Sequence, residues 1–241
     1  MMNDYFLVKN FFNYEKIIPP PKNLPKNLIT VYVTDSDKNA ETAKSLGWEI
    51  TKVLNEHTNI TDSFEKRKLV AFINSYPLKV VPELENPRYI FICDSNINEL
   101  WFSYGDFVEK CSDDYGLFVT SGYYSGNRDN IESECHASCM VPRWSYNHKG
   151  IKNSTEKYKK ILNDNNIDYN NLSIVSAKYY GWNVKHKMYP EMSDILYNEY
   201  CENLQGNIIL TFMSGLFKGN VFNYYTNDYS GSNLNEHNFN L

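Results

Sequence analysis

At 241 residues and 42% hydrophobic content, the chain is long enough to bury a sizeable core, most simply as one domain spanning 1–241. A net charge of −5 argues against the basic footprint of broad nucleic-acid binding, so no nucleic-acid partner is expected. No apolar run approaches the roughly 20 residues of a bilayer span, and the polar start is no signal peptide; five cysteines without a framework of spacings read as free thiols in a reducing, cytoplasmic setting.

Residues 4–9 read as a short strand or lead-in, and Pro19-Pro20-Pro21 with Pro25 form an extended linker that cannot be helical. The β-branched run 28–34 predicts the first core strand. It ends in Asp35-Ser36-Asp37, whose side chains suit the cap of a helix over 38–46. Gly47 stops that helix and 48–54 reads as a strand, giving a βαβ unit and therefore a parallel sheet. Residues 63–74 form a basic helical stretch, followed by a short helix over 76–82 with Pro77 in its first turn. Tyr89 to Cys93 is an unbroken apolar run, the pattern of a strand buried on both faces. Helical spacing returns over 97–110, and 117–120 is a short strand followed by a loop over 122–126. Helices are expected over 128–139, 155–163 and 192–203, with a strand over 172–179. The apolar segment 205–217 leans to helix. The tail from Asn227 is rich in Asn, Ser and Gly and reads as a loop able to close over a site. There is no internal repeat.

The chemistry gathers where strands end. Asp94-Ser95-Asn96 directly follows the apolar run of 89–93, and in open α/β sheets ligands bind beyond the carboxyl ends of such strands. Asp94 and Asn96 place two oxygens within reach of one cation, and a hard divalent ion completes its shell with phosphate oxygens. Taken alone, Asp94 is more simply read as a helix cap, and the rest of the chain shifts that balance. Asp35 and Asp37 follow the first core strand at the same edge. No glycine-rich phosphate loop is present, so a bound diphosphate needs a metal and basic side chains. Arg67, Lys68 and Lys79 are the candidates, each also explicable as part of a solvated helix face. Lys79, between Leu78 and Val80, is the preferred one.

Tyr-Val-Thr-Asp at 32–35, the Lys-rich helix, Pro-x-Lys at 77–79 and Tyr-Ile-Phe-Ile-Cys-Asp-Ser-Asn at 89–96 together resemble the nucleotide-binding half of a GT-A glycosyltransferase. The chain looks most like the glycosyltransferases that large algal viruses (chloroviruses) encode to decorate their capsid glycoprotein. The resemblance implies an α/β fold: a single GT-A-like domain with a mainly parallel central sheet flanked by helices. It covers roughly 28–135 as the nucleotide-sugar-binding half, leaving 136–241 as the acceptor-side half and carboxyl-terminal tail. It implies a Mn²⁺ or Mg²⁺ cofactor on Asp94 and Asn96, with the family's last carboxylate replaced here by an amide and one negative charge lost. Val33, Thr34 and Asp35 would contact the uridine and ribose, and Lys79 the phosphates. His237 is a candidate third metal ligand, although a lone surface histidine is the simpler reading.

Arg128 and Glu132, four residues apart, fit an ordinary helix pair worth about 0.2–0.5 kcal/mol. In the functional reading Arg128 binds sugar or phosphate, and Glu132, Glu134 or Asp228 serves the acceptor side. An inverting transfer needs a carboxylate base, whereas a retaining one uses a carboxylate to stabilise oxocarbenium-like charge; both remain open. Cys135, His136 and Cys139 supply at most part of a zinc site, so buried thiols are the simpler reading. Trp144 is a candidate for stacking on an acceptor sugar. No Gly-x-Ser-x-Gly elbow supports a serine hydrolase. The expectation is a hexosyl- or deoxyhexosyltransferase moving sugar from a nucleoside-diphosphate donor, with UDP preferred, to a glycan or glycoprotein acceptor such as a viral capsid glycan. For a viral protein the location would be the host cytoplasm. The alternatives are a nucleotidyltransferase acting on a sugar phosphate, or a non-catalytic nucleotide- or sugar-binding domain of the same fold.

Overall fold

A computed structural model describes residues 5–11, 17, 19–20, 24–54, 62–82, 84, 86–93, 107–108, 110–122, 130–141, 147–203 and 205–226. Among the described residues seven strands make one sheet: β1 Tyr5–Phe11, β2 Leu28–Thr34, β3 Ile50–Val53, β4 Tyr89–Cys93, β5 Leu117–Gly122, β6 Val175–Asn183 and β7 Val221–Thr226. The described helices are α1 Asp37–Ser45, α2 Ser63–Ser75, α3 Pro77–Val80, α4 Ile131–Met140, α5 His148–Asp164, α6 Tyr189–Asn203 and α7 Gly206–Leu216. The strand order is β3-β2-β1-β4-β6-β5-β7.

β1, β2, β3 and β4 run parallel, as the βαβ pattern predicts. β6 runs antiparallel to both β4 and β5, and β7 is parallel to β5. The expected mainly parallel sheet is therefore corrected to a mixed one. The reason is positional: β6 inserts between β4 and β5, entering from the edge at which those two strands end. No local sequence pattern encodes that direction, because pairing partners are distant in the chain.

Strand parity splits the core. Val31, Val33, Ile90 and Ile92 face the layer built by α2, α3 and α4–α7. Tyr89, Phe91, Phe118 and Tyr179 face the other side, joined by Phe107 and Val108. Tyr32 also lies on that second side, tilted against Trp48 near α1. β4 is buried along its whole length because both faces are covered, and each of Ile90, Phe91 and Ile92 contributes about 1.5–3 kcal/mol by leaving water. Trp182 fixes α2 to the sheet through its indole N–H, which donates to the Asn74 carbonyl at 2.9 Å. On the helical side Tyr158 stacks on Phe212 with centroids 4.3 Å apart.

Local chemistry starts these helices: two begin within a residue of their expected starts, while α4, expected from 128, begins at Ile131 because Asn130 caps it. Ser36 caps α1, accepting from the Asn39 N–H, and Asp62 caps α2, accepting from Phe64 and Glu65 at 2.9 Å each. Asn130 and Ser133 form a reciprocal capping box at the start of α4. Among the described residues no helix is long and apolar enough to cross a membrane.

Candidate functional site

The order β3-β2-β1-β4 contains a topological switch point. From β1 the chain builds outward through β2 and β3, then returns to place β4 on the other side of β1. Two neighbouring strands whose connections leave in opposite directions open a crevice beyond their carboxyl ends. The switch point lies between β1 and β4, with the end of β2 beside it.

β2 delivers Val33, Thr34 and Asp35 to this edge. Val33 and Thr34 are fully buried, and the Thr34 hydroxyl has no hydrogen-bond partner among the described residues. Asp35 follows the strand with its side chain only 9% exposed, and its Oδ2 lies 3.6 Å from Nζ of Lys66 on α2. Burial, and then the Asp35 carboxylate, push the Tyr32 phenol well above its usual range. Among the described residues this edge thus holds a carboxylate and an ammonium, both largely withdrawn from water.

β6 is the next strand beyond β4. Tyr179 pairs with Cys93, the last residue of β4, so residues 175–178 of β6 extend past the point where β4 ends. The β5–β6 register jumps between Val119 and Thr120, moving the partner from Tyr180 to Ser176. Such an irregularity leaves backbone donors without strand partners. α7 supplies them: Asn207 Oδ1 accepts from Ala177 N at 2.8 Å, and Thr211 Oγ1 accepts from Val175 N at 2.9 Å. The Asn207 amide in turn donates to Oε1 of Glu134 at 3.0 Å. Glu134, on α4, is 1% exposed. One turn further along α4, Ser138 accepts from the side chain of Gln205. At the mouth of β5 the Ser121 hydroxyl donates to Asn223 Oδ1 at 2.7 Å.

The sequence-derived candidates divide accordingly. Val33, Thr34 and Asp35 lie at the switch-point edge, and Glu134 is tied to β6 where that strand passes the end of β4. Lys79 does not lie there. α2 begins beside Asp35, and its 13 residues span about 20 Å. It ends where Ser75 accepts from the Tyr189 hydroxyl and Asn74 from Trp182, whose strand partner Ile90 belongs to the first half of β4. Lys79 comes after that point, exposed, with Nζ 3.9 Å over the Tyr76 ring. The cation assigned to the diphosphate is thus at the opposite edge of the sheet. Glu132 is also set apart: its side chain is 63% exposed and pairs with Lys159 of α5 at 3.6 Å. Asp94, Asn96, Arg128, Asp228, His237 and Trp144 lie outside the described residues.

Cys135 and Cys139 are free thiols on α4, and burial pushes the Cys135 thiol up. Sequence reasoning missed two residues of this edge. Lys66 was hidden in a Lys-rich helix whose contacting face no pattern distinguishes. Asn207 sat in an apolar segment where a single amide among Ile and Leu was the available signal.

No protein-family model matches the sequence, and no curated protein matches it. Solved structures similar in backbone include mouse xyloside xylosyltransferase 1 in its apo form, with TM-score 0.47 and 10% identity over 93% of this chain and 84% of that one. The galactosyltransferase LgtC in complex with donor and acceptor sugar analogues gives 0.44 and 11%, over 90% and 72%. The mannosyltransferase Ktr4p from S. cerevisiae gives 0.40 and 10%, over 92% and 68%. The described residues define a mixed α/β protein with a topological switch point between β1 and β4.

Proposed function

We propose that the chain is a metal-dependent glycosyltransferase that moves a sugar from a UDP-sugar donor to a glycan or glycoprotein acceptor. One observation supports the reading: the fully buried strand β4, which Asp94-Ser95-Asn96 directly follows in the sequence, is separated by β1 alone from β2, whose end Asp35 follows. Nucleotides bind at such switch points, and the sequence after β4 offers a carboxylate and an amide oxygen in place of a glycine-rich loop.

The donor chemistry of Asp94 and Asn96, a carboxylate and an amide oxygen, fits a hard cation such as Mn²⁺ or Mg²⁺. When bound, that ion would neutralise the leaving diphosphate. Asp35, with Val33 and Thr34, takes the nucleoside. Lys66 takes the diphosphate role in place of Lys79, a reading supported by the 3.6 Å approach of its ammonium to Asp35. Glu134 supplies the carboxylate on the sugar side. The bond from the anomeric carbon to UDP breaks, a bond to the acceptor hydroxyl oxygen forms, and the acceptor proton is released.

The test is release of UDP from a panel of UDP-hexoses and UDP-pentoses with Mn²⁺, with and without added oligosaccharide. The reading expects metal-dependent UDP release that Asp94→Ala removes. Pyrophosphate released from UTP and a sugar phosphate would instead identify a nucleotidyltransferase. Binding of UDP without turnover of any donor would identify a non-catalytic nucleotide-binding domain.

A further inference from the structure

We infer that the Lys66–Asp35 ion pair is a selectivity latch. It keeps the phosphate-binding ammonium neutralised until one ligand engages both groups, so the site takes a whole nucleoside diphosphate and discriminates against inorganic pyrophosphate. The inference rests on the roles that the transferase reading gives Asp35 and Lys66. It goes beyond that reading by naming what separates the donor from its fragments.

Two elements build the pair. Val33 faces the helical layer that includes α2, and Asp35, two residues further on, continues on the same side of the sheet. α2 meets it with Lys66, which lies in the first turn and donates its backbone N–H to the Asp62 carbonyl at 3.1 Å. A helix start favours anions over cations, so Lys66 stands there against the preference of its own helix. Its charge is answered across the gap by Asp35: Nζ lies 3.6 Å from Oδ2, with the two side chains 13% and 9% exposed. Glu65, in the same turn, is engaged with Lys68 at 2.8 Å, and Asp62 is engaged as the helix cap.

The contact is longer than an N–H···O hydrogen bond of about 2.7–3.2 Å, so the lysine can swing away without breaking a short bond. Separating the charges while the carboxylate stays buried nevertheless leaves an unpaired buried charge, which costs far more than losing an exposed ion pair. Pyrophosphate that draws Lys66 away leaves Asp35 in that condition. A nucleoside diphosphate supplies both substitutes together: ribose hydroxyls donate to Asp35 while the diphosphate oxygens receive Lys66. The whole ligand exchanges one satisfied arrangement for another, and the fragment does not.

Asp35→Asn keeps the shape and an oxygen acceptor for the ribose but removes the charge that holds Lys66. Calorimetric titration compares Mg²⁺-pyrophosphate with Mg²⁺-UDP on the unaltered protein, Asp35→Asn, Lys66→Ala and the double variant. In Asp35→Asn, pyrophosphate affinity should rise by about tenfold or more while UDP affinity stays within about threefold, so the preference for UDP collapses. In the double variant, pyrophosphate binding should remain as weak as in Lys66→Ala, because no ammonium is left to release. Should Lys66→Ala fail to fold, Lys66→Gln replaces it, since its amide still donates to Asp35 without a charge. Loss of a negative charge without a latch would raise pyrophosphate and UDP affinity alike, with or without Lys66. That result overturns the inference, as does an Asp35→Asn protein that binds pyrophosphate no better than the unaltered one. If the unaltered protein binds no UDP and releases none from any donor, the transferase reading fails and the latch falls with it. If it releases UDP and only the Asp35 and Lys66 results disagree, the transferase reading survives alone.

Discussion

Gly181 lies in the middle of β6, opposite Phe91 on β4 and Phe118 on β5. A β-carbon added there would sit 2.5 Å from Cδ1 and 2.8 Å from Cε1 of Phe91, whereas carbon atoms settle at about 3.5–4.0 Å. The ring has nowhere to go. Phe91 is fully buried, stacked against Tyr179 at 6.0 Å and met edge-on by Phe107 at 5.6 Å. Gly181→Ala must therefore displace a packed aromatic cluster or the strand itself, an overpacking cost of about 1–3 kcal/mol. For a domain of this size that lowers Tm by about 2–12 °C, read by circular dichroism during heating. Adding Phe91→Leu to Gly181→Ala removes the obstructing ring and should recover part of the loss. An unchanged or higher Tm for Gly181→Ala, or no recovery in the double variant, would refute the packing argument.

The positions of the two lysines make a paired prediction. Lys66→Ala should weaken UDP binding in the presence of Mn²⁺ by tenfold or more, while Lys79→Ala should leave it within twofold; calorimetric titration reads both, and the opposite ranking would return the diphosphate to Lys79. Alkaline stability follows from the buried phenols. Burial, then the Glu199 carboxylate, raise Tyr158, and burial raises Tyr189. A raised folded value means the neutral phenol is the form the fold favours. That stabilisation is complete below the unfolded tyrosine value of about 10 and is lost as pH rises above it. Tm should fall between pH 9 and 11. Tyr158→Phe should reduce that fall, while costing about 1–3 kcal/mol at pH 7 through loss of the 2.7 Å bond to Glu199. A fall as steep as in the unaltered protein would remove Tyr158 from the explanation.

What the sequence disclosed depended on how local the cause was. The β4 strand was legible because five consecutive apolar residues on both faces admit little else, and α3 because Pro77 suits a first helical turn. The segment 205–217, read as leaning to helix, is α7 over Gly206–Leu216. β6 was displaced, expected over 172–179 and found at Val175–Asn183, because its limits follow from pairing with β4 and β5 rather than from its own alternation. β7, at Val221–Thr226, falls between the apolar segment 205–217 and the tail from Asn227, in a stretch to which the sequence assigned no element. At the site, Asp35 was legible as an acid after a strand. The distinction between Lys66 and Lys79 was not, because it turns on which end of a 13-residue helix meets the crevice. Asn207 matters through partners 73 and 30 residues away, a separation no spacing argument reaches.

The most direct test of the central claim is a thermal-shift titration with UDP, with and without Mn²⁺, on the unaltered protein and on Asp94→Ala. A ligand at 100 times its Kd adds about 2.7 kcal/mol to the folded state, a rise of about 5–11 °C at this chain length. The account predicts that rise with UDP and Mn²⁺ together, little with either alone, and none in Asp94→Ala. Equal stabilisation of Asp94→Ala, or no stabilisation of the unaltered protein at millimolar UDP and Mn²⁺, would show that Asp94-Ser95-Asn96 only caps a helix.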